Sequence, residues 1–221
     1  MTVWDAVSVP VVIMLVVGSI MLYLVLVAIP RQRRATWEAA LGLAARRGWK
    51  LVTPGEMPQG MALWRTALAV SGRERDRRVR LTSFVVGSGK SQQTWTALQA
   101  DLETEPPSLS IREENVFTRM AEKLGKGDLK TGDVAFDQRF RLGAGDPLLV
   151  HVLLPEWRRA LEQAWPARRS GAALTVSGRK VSFEALGAPT PKLLVALEPL
   201  FPLLLDLADY LEAFVESQRK R

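Results

Sequence analysis

Val79-Arg80-Leu81-Thr82-Ser83-Phe84-Val85-Val86 is the stretch on which the fold turns. It is rich in apolar and β-branched residues, the side chains that fit a pleated, half-buried surface. Strand-like runs lie on both sides of it. Upstream, Ala62–Val70 alternates, with Trp64, Thr66, Leu68 and Val70 on one face, and the charged segment Gly72–Arg77 reads as the loop that follows. Downstream, Gly87-Ser88-Gly89-Lys90-Ser91 connects to Thr94–Leu102, where Trp95 and Ala97 lie opposite Thr96 and Leu98. Short connections between such runs predict an antiparallel meander. Pro106-Pro107 ends it.

Working outward, Thr36–Arg47 has helical spacing, with Trp37, Leu41 and Ala44 at i, i+4 and i+7. Arg46 and Arg47 suit its last turn and Gly48 its stop. Trp49–Val52 is a short strand candidate. Beyond the meander, Leu109–Arg112 reads as a strand, Glu114–Leu124 as a helix and Gly125–Asp133 as a loop. Val134–Leu142 reads as the best strand in the chain. Period two puts Val134, Phe136, Phe140 and Leu142 on a buried face and Asp137 at the surface. Pro155–Trp165 is the best amphipathic helix: Trp157, Leu161 and Trp165 share its apolar stripe, and Arg158 and Arg159 lie off it. Ala173–Ser177 and Lys180–Glu184, joined by Gly178-Arg179, predict a hairpin. Pro191–Glu216 predicts a kinked helix buried against the sheet, because Glu198, Pro199 and Pro202 interrupt an apolar run too short to span a bilayer.

The N-terminus sets the location. Ala6–Pro30 is an uncharged run of about 25 residues, some 37 Å as a helix against roughly 30 Å of hydrocarbon. It ends in Ile29-Pro30-Arg31-Gln32-Arg33-Arg34 and not in a small-residue cleavage site, so it reads as a retained anchor. No Lys or Arg precedes Pro30, and Arg31, Arg33 and Arg34 follow at once. These membrane-flanking arginines predict a single pass in a bacterial inner (cytoplasmic) membrane, N-terminus out and C-terminal domain in the cytoplasm. The division is residues 1–34, an anchor with its basic flank, and residues 35–221, a cytoplasmic domain. The whole chain of 221 residues carries a net charge of +7, which suits a body held near anionic headgroups.

Composition narrows the chemistry. The chain has no cysteine and one histidine, which excludes thiolate zinc sites, iron–sulfur clusters, thiol nucleophiles and multi-histidine metal centres. Gly87–Ser91 resembles the end of a phosphate-binding loop, but Phe84 stands where the first glycine is required. Asp128, Asp133, Asp137 and Asp146 are oxygen donors that could suit a hard cation. Two of them follow glycines in turn-rich sequence, where Asp bonds its own backbone. His151 sits in the apolar run Leu148–Leu154 and reads as a half-buried structural residue. The Arg73–Arg80 cluster lacks the interleaved aromatics of a nucleic-acid surface. No catalytic residue, cofactor, metal or nucleic-acid partner is expected.

Lys130-Thr131-Gly132-Asp133-Val134-Ala135-Phe136-Asp137-Gln138-Arg139-Phe140 carries a T-G-D-x-x-F-D-x-x-F pattern, and Leu153-Leu154-Pro155-Glu156-Trp157-Arg158 follows it. In these two stretches the chain resembles bacterial membrane-anchored proteins of unknown function, over about residues 35–215. The resemblance implies an N-terminal anchor, an α+β cytoplasmic body and a late apolar helix. It implies no activity and no site residues.

The expected fold is therefore α+β: an N-terminal single transmembrane helix followed by a largely antiparallel sheet flanked by helices. The alternative is a small β-barrel capped by the C-terminal helix. The expected function is a membrane-anchored, non-enzymatic module that binds membrane lipid or an unidentified protein partner at the cytoplasmic face. The alternative is a metal-dependent or hydrolytic enzyme using the carboxylates around Asp128–Asp146.

Overall fold

The computed structural model describes residues 3–23, 29–52, 69–87, 91–113, 129–166 and 171–220. Two helices lead, α1 (Val3–Tyr23) and α2 (Ile29–Arg47). Strands β1 (Lys50–Leu51), β2 (Ala69–Glu74), β3 (Arg77–Val86), β4 (Gln93–Asp101) and β5 (Leu109–Glu113) follow. Then come α3 (Val134–Arg139), β6 (Phe140–Ala144), a 3-10 helix (Pro147–Val152) and α4 (Pro155–Ala164). The chain closes with the β7 (Ala173–Ser177) and β8 (Lys180–Leu186) hairpin, α5 (Pro191–Leu197) and α6 (Leu200–Arg219).

The eight strands form one sheet in the order β1-β2-β3-β4-β8-β7-β5-β6, antiparallel at every pairing. Among the described residues the order is open, with β1 and β6 at the edges, an open sheet and not the barrel of the alternative. Register explains the core. Val70, Leu81, Leu98, Phe183, Leu174, Ile111 and Leu142 stand side by side across seven strands. All of them are buried. Above this row pack Ala40 and Leu43 of α2, Leu193 and Leu197 of α5, and Phe201, Leu204 and Leu211 of α6. Each fully buried Leu or Phe contributes about 1.5–3 kcal/mol. The α+β body, with its large antiparallel sheet flanked by helices, is thus as expected. Residues 62–68 of the strand expected over Ala62–Val70, and the helix expected over Glu114–Leu124, lie outside the described residues.

Four expectations need correction. The segment Gly72–Arg77 is no loop: β2 and β3 pair as far as Glu74 and Arg77, and Arg75-Asp76 make a two-residue turn with φ of 49° and 63°. Positive φ at both positions is what the right-handed twist of a tight hairpin requires. On α2, Trp37 and Leu41 are exposed, and the buried stripe is instead Ala40, Leu43 and Ala44. On α4, Trp157, Leu161 and Trp165 are buried as expected, but Arg158 is buried with them. The 3-10 helix leaves His151 exposed, not half-buried.

The last helices behave as read. Thr190 caps α5 through its hydroxyl, which accepts from the Leu193 backbone N–H. Glu198-Pro199 breaks the run before α6. At the N-terminus, among the described residues no helix is long and apolar enough to cross a membrane. The structure therefore does not establish the expected transmembrane helix. The helix α1 is described as far as Tyr23, and its described side chains begin at Val12, so the described apolar surface is shorter than the run in the sequence.

Candidate functional site

The T-G-D stretch is not a strand over its first half. Asp133 adopts extended backbone and its carboxylate accepts from the Phe136 N–H, the N-cap geometry that starts a helix. Val134–Arg139 then makes six residues of helix before Phe140 opens β6. Phe136 and Phe140 are buried as expected, whereas Val134 is 69% exposed, against expectation. The rings continue inward from Phe136 to Phe140, Trp165 and Phe183, with successive centroids about 5 Å apart.

Asp137 is not a free surface residue either. Its carboxylate turns back and accepts from the Thr131 N–H at 3.0 Å, the Thr131 hydroxyl at 2.9 Å and the Gly132 N–H at 3.1 Å. Gly132 takes φ 82°, a conformation that folds its N–H toward the carboxylate and that side chains rarely adopt. Arg158 closes the turn from the other side. It donates to the Thr131 carbonyl at 3.3 Å and stands 4.0 Å from the Asp133 carboxylate. The two stretches that carry the resemblance therefore meet in space, through Arg158.

This geometry decides what the carboxylates can do. Asp133 caps α3, Asp137 holds the Thr131-Gly132 turn, and Asp146 caps the 3-10 helix by accepting from the Leu148 N–H at 2.9 Å. Each is committed to backbone donors of its own segment. Asp128 lies outside the described residues. Among the described residues, no three His, Asp or Glu side chains are grouped so that they could hold a metal ion. The Gly87–Ser91 connector leads into strand β4, where a phosphate-binding loop would lead into a helix. Lys90 itself lies outside the described residues.

The charges that remain are sorted by face. On the helix side, Arg77 of β3 forks onto α6, reaching Asp209 at 2.7 Å and Glu212 at 2.6 Å. The bond from Arg77 holds the Glu212 carboxyl below its usual range, and burial opposes this only in part. Arg75 in the turn reaches Asp206 at 2.6 Å, and Arg47 of α2 reaches Glu74 at 2.8 Å. The acids of α6 thus clamp the β2–β3 hairpin. On the opposite face the register places Lys50, Arg73, Arg78, Arg112, Arg141 and Lys180, with Arg80 tied to Asp101 at 2.5 Å. The other acid there is Glu184, whose pKa is raised by burial and partly offset by Arg112.

The arginines expected to flank the membrane fall on α2. Arg31 and Arg34 are exposed in its first turns, and Arg34 donates to Glu38 at 3.0 Å. Arg33 lies on the same helix. Sequence reasoning missed the burial of Arg158 and the two-sided sorting of charge. The first has no linear signal, because its partners lie 25 residues and more away; the second depends on which strands are neighbours.

No family model and no curated protein matches the chain. Among solved structures it is similar to the crystal structure of the mycobacterial trehalose monomycolate transport factor A, TtfA. The identity is 10%, the match covers 82% of this chain and 93% of that one, and the TM-score is 0.44. A likeness that loose transfers nothing to this chain.

Proposed function

We propose that the chain is a membrane-anchored, non-enzymatic module that binds lipid or protein at the cytoplasmic face of a bacterial inner membrane. The observation that carries this is the surface of α1. Val12, Ile13, Met14, Leu15, Val16, Val17, Ile20 and Leu22 are all more than half exposed. They succeed one another around the helix, so over Val12–Leu22 the described side chains leave no side of it polar. A helix that is apolar all round belongs inside a protein or a bilayer, and the α+β body does not cover this one. In the sequence the same run extends from Ala6 to Pro30 and meets Arg31, Arg33 and Arg34 at its end. Basic residues on that side favour a cytoplasmic body. The resemblance to uncharacterised membrane-anchored proteins points the same way.

The test is extraction and topology together. Alkaline carbonate should leave the full chain in the membrane pellet. A fluorescent protein that matures only in the cytoplasm, fused after Arg221, should glow, and a periplasmic phosphatase fused at the same place should be inactive. Release by carbonate would sink the anchor. An active phosphatase with a dark reporter would reverse the orientation.

A further inference from the structure

The face of the sheet turned away from the helices has an unexplained feature at its hairpin end. Arg73 and Arg78 stand directly opposite each other on β2 and β3. Both are exposed, and neither has an ion-pair partner among the described residues. Like charges placed directly across a strand pair destabilise a sheet. Neighbouring positions do not relieve the pair. Asp101 of β4, on this face, is held by both oxygens to Arg80, at 2.5 and 2.6 Å. Lys180, which faces Asp101 in the register of β8, is exposed and left without that carboxylate. The acids that could have served, Asp206, Asp209 and Glu212, lie on the helix side and are consumed by Arg75 and Arg77.

The fold has therefore placed Asp206, Asp209 and Glu212 on one side of this hairpin and left Arg73, Arg78 and Lys180 on the other without an ion-pair partner among the described residues. We infer that the corner formed by Arg73, Arg78 and Lys180 is a docking surface for an anionic bilayer, the one in which the chain is anchored. The inference rests on the anchor proposed above. Its own support is charge complementarity: a surface rich in phosphate headgroups supplies the negative partners that the sheet withholds. A tether keeps that surface at high local concentration, so a modest attraction suffices. Each basic residue near an anionic leaflet contributes about fivefold in binding, so three contribute roughly hundredfold. The attraction is largely screened in 1 M salt, where the screening length is about 3 Å.

The chain has no cysteine, so Ser177→Cys gives one labelling site. Ser177 is exposed and pairs with Lys180 on the same face. The labelled full chain is placed in lipid nanodiscs of phosphatidylcholine alone, or of equal parts phosphatidylcholine and phosphatidylglycerol, with an acceptor dye on a trace of headgroups. Energy transfer should be high in the anionic discs. It should fall to the neutral-disc level in R73Q/R78Q/K180Q and in 1 M salt, while circular dichroism shows the variant folded. Equal transfer in both discs, or an unchanged triple variant, would overturn the docking surface. Co-elution of chain and disc reports the anchor separately. A chain that co-elutes but shows insensitive transfer loses the docking surface and keeps the anchor; a chain that does not co-elute loses both. Duplex DNA that binds this corner with the same three-residue dependence, where anionic discs do not, would make it a nucleic-acid surface and refute the inference.

Discussion

Asp137→Ala removes one carboxylate and with it the bonds that this carboxylate makes to the Thr131-Gly132 turn. The lost interactions are two backbone N–H donors and one hydroxyl, at 2.9 to 3.1 Å. Hydrogen bonds to a charged group contribute about 1.5–3 kcal/mol each when buried. Here Gly132 is exposed and water can replace part of the loss, so the whole turn should cost about 2–3 kcal/mol. With a urea slope of about 2 kcal/mol per molar, the unfolding midpoint should fall by about 1–1.5 M. Trp165 is the natural reporter, since it stacks edge-on to Phe140 at 4.9 Å and Phe140 touches Phe136. Asp137→Asn keeps one acceptor oxygen and should lose about half as much. A shift within about 0.5 kcal/mol for Asp137→Ala would refute the latch, since that is what an ordinary surface position shows. A large loss confined to metal binding, with stability unchanged, would return this carboxylate to the enzyme reading.

Three further outcomes follow from the geometry. Val134→Asp should be tolerated within about 0.5 kcal/mol in the same urea assay; a collapse of stability would mean that the residue is buried on a strand after all. Arg77→Gln should cost about 2–3 kcal/mol, below the 3–5 of a fully buried broken pair because Asp209 is partly exposed. Glu212 titrates below its unfolded value, so its contribution is present above the usual glutamate range and lost as pH falls through the lowered value. The wild-type protein should show that acid loss in thermal melts and Arg77→Gln should show less of it, since the Glu103 N–H still bonds the carboxylate; identical slopes would remove the clamp. Glu184 has the opposite sign, because burial raises its pKa and protonation favours the fold. Glu184→Gln should therefore raise the Tm at pH 7, with the gain vanishing as pH falls below the usual glutamate range. A lowered Tm at pH 7 would show that the carboxylate is bonded rather than merely buried.

The sheet was legible where alternation was strict and both neighbours were strands. Val79–Val86 falls inside β3, Thr94–Leu102 matches β4 but for its last residue, and the Gly178-Arg179 hairpin closes as its turn residues demand. The T-G-D stretch misled for a definite reason. Phe136 and Phe140 are four apart, a spacing that keeps two side chains on one face in a strand and in a helix alike. Only Asp133 argued for the helix, and an Asp after a glycine reads equally as a turn. The charged Gly72–Arg77 segment misled because Arg and Asp rarely take positive φ; the Arg75 bonds to Asp206 and Asp209 supply what the local sequence does not. The basic corner was visible as composition. Its separation into clamped and bare arginines needed the strand order and the placement of α6.

The helix α2 runs without interruption from Arg31, Arg33 and Arg34, the residues proposed to flank the membrane, to Ala40, Leu43 and Ala44 in the core. Such a rod transmits angle as well as distance. From Ile29 to Ala40 it is about 16 Å long, and each inserted residue would turn everything beyond it by about 100°. One alanine added between Arg34 and Ala40 should swing the body away from its native bearing. Seven should lift it by about 10 Å and bring it back to within about 20°. A binding partner embedded in the membrane would then follow the phase of the insertion rather than its length, and one reached by a slack tether would be indifferent to both.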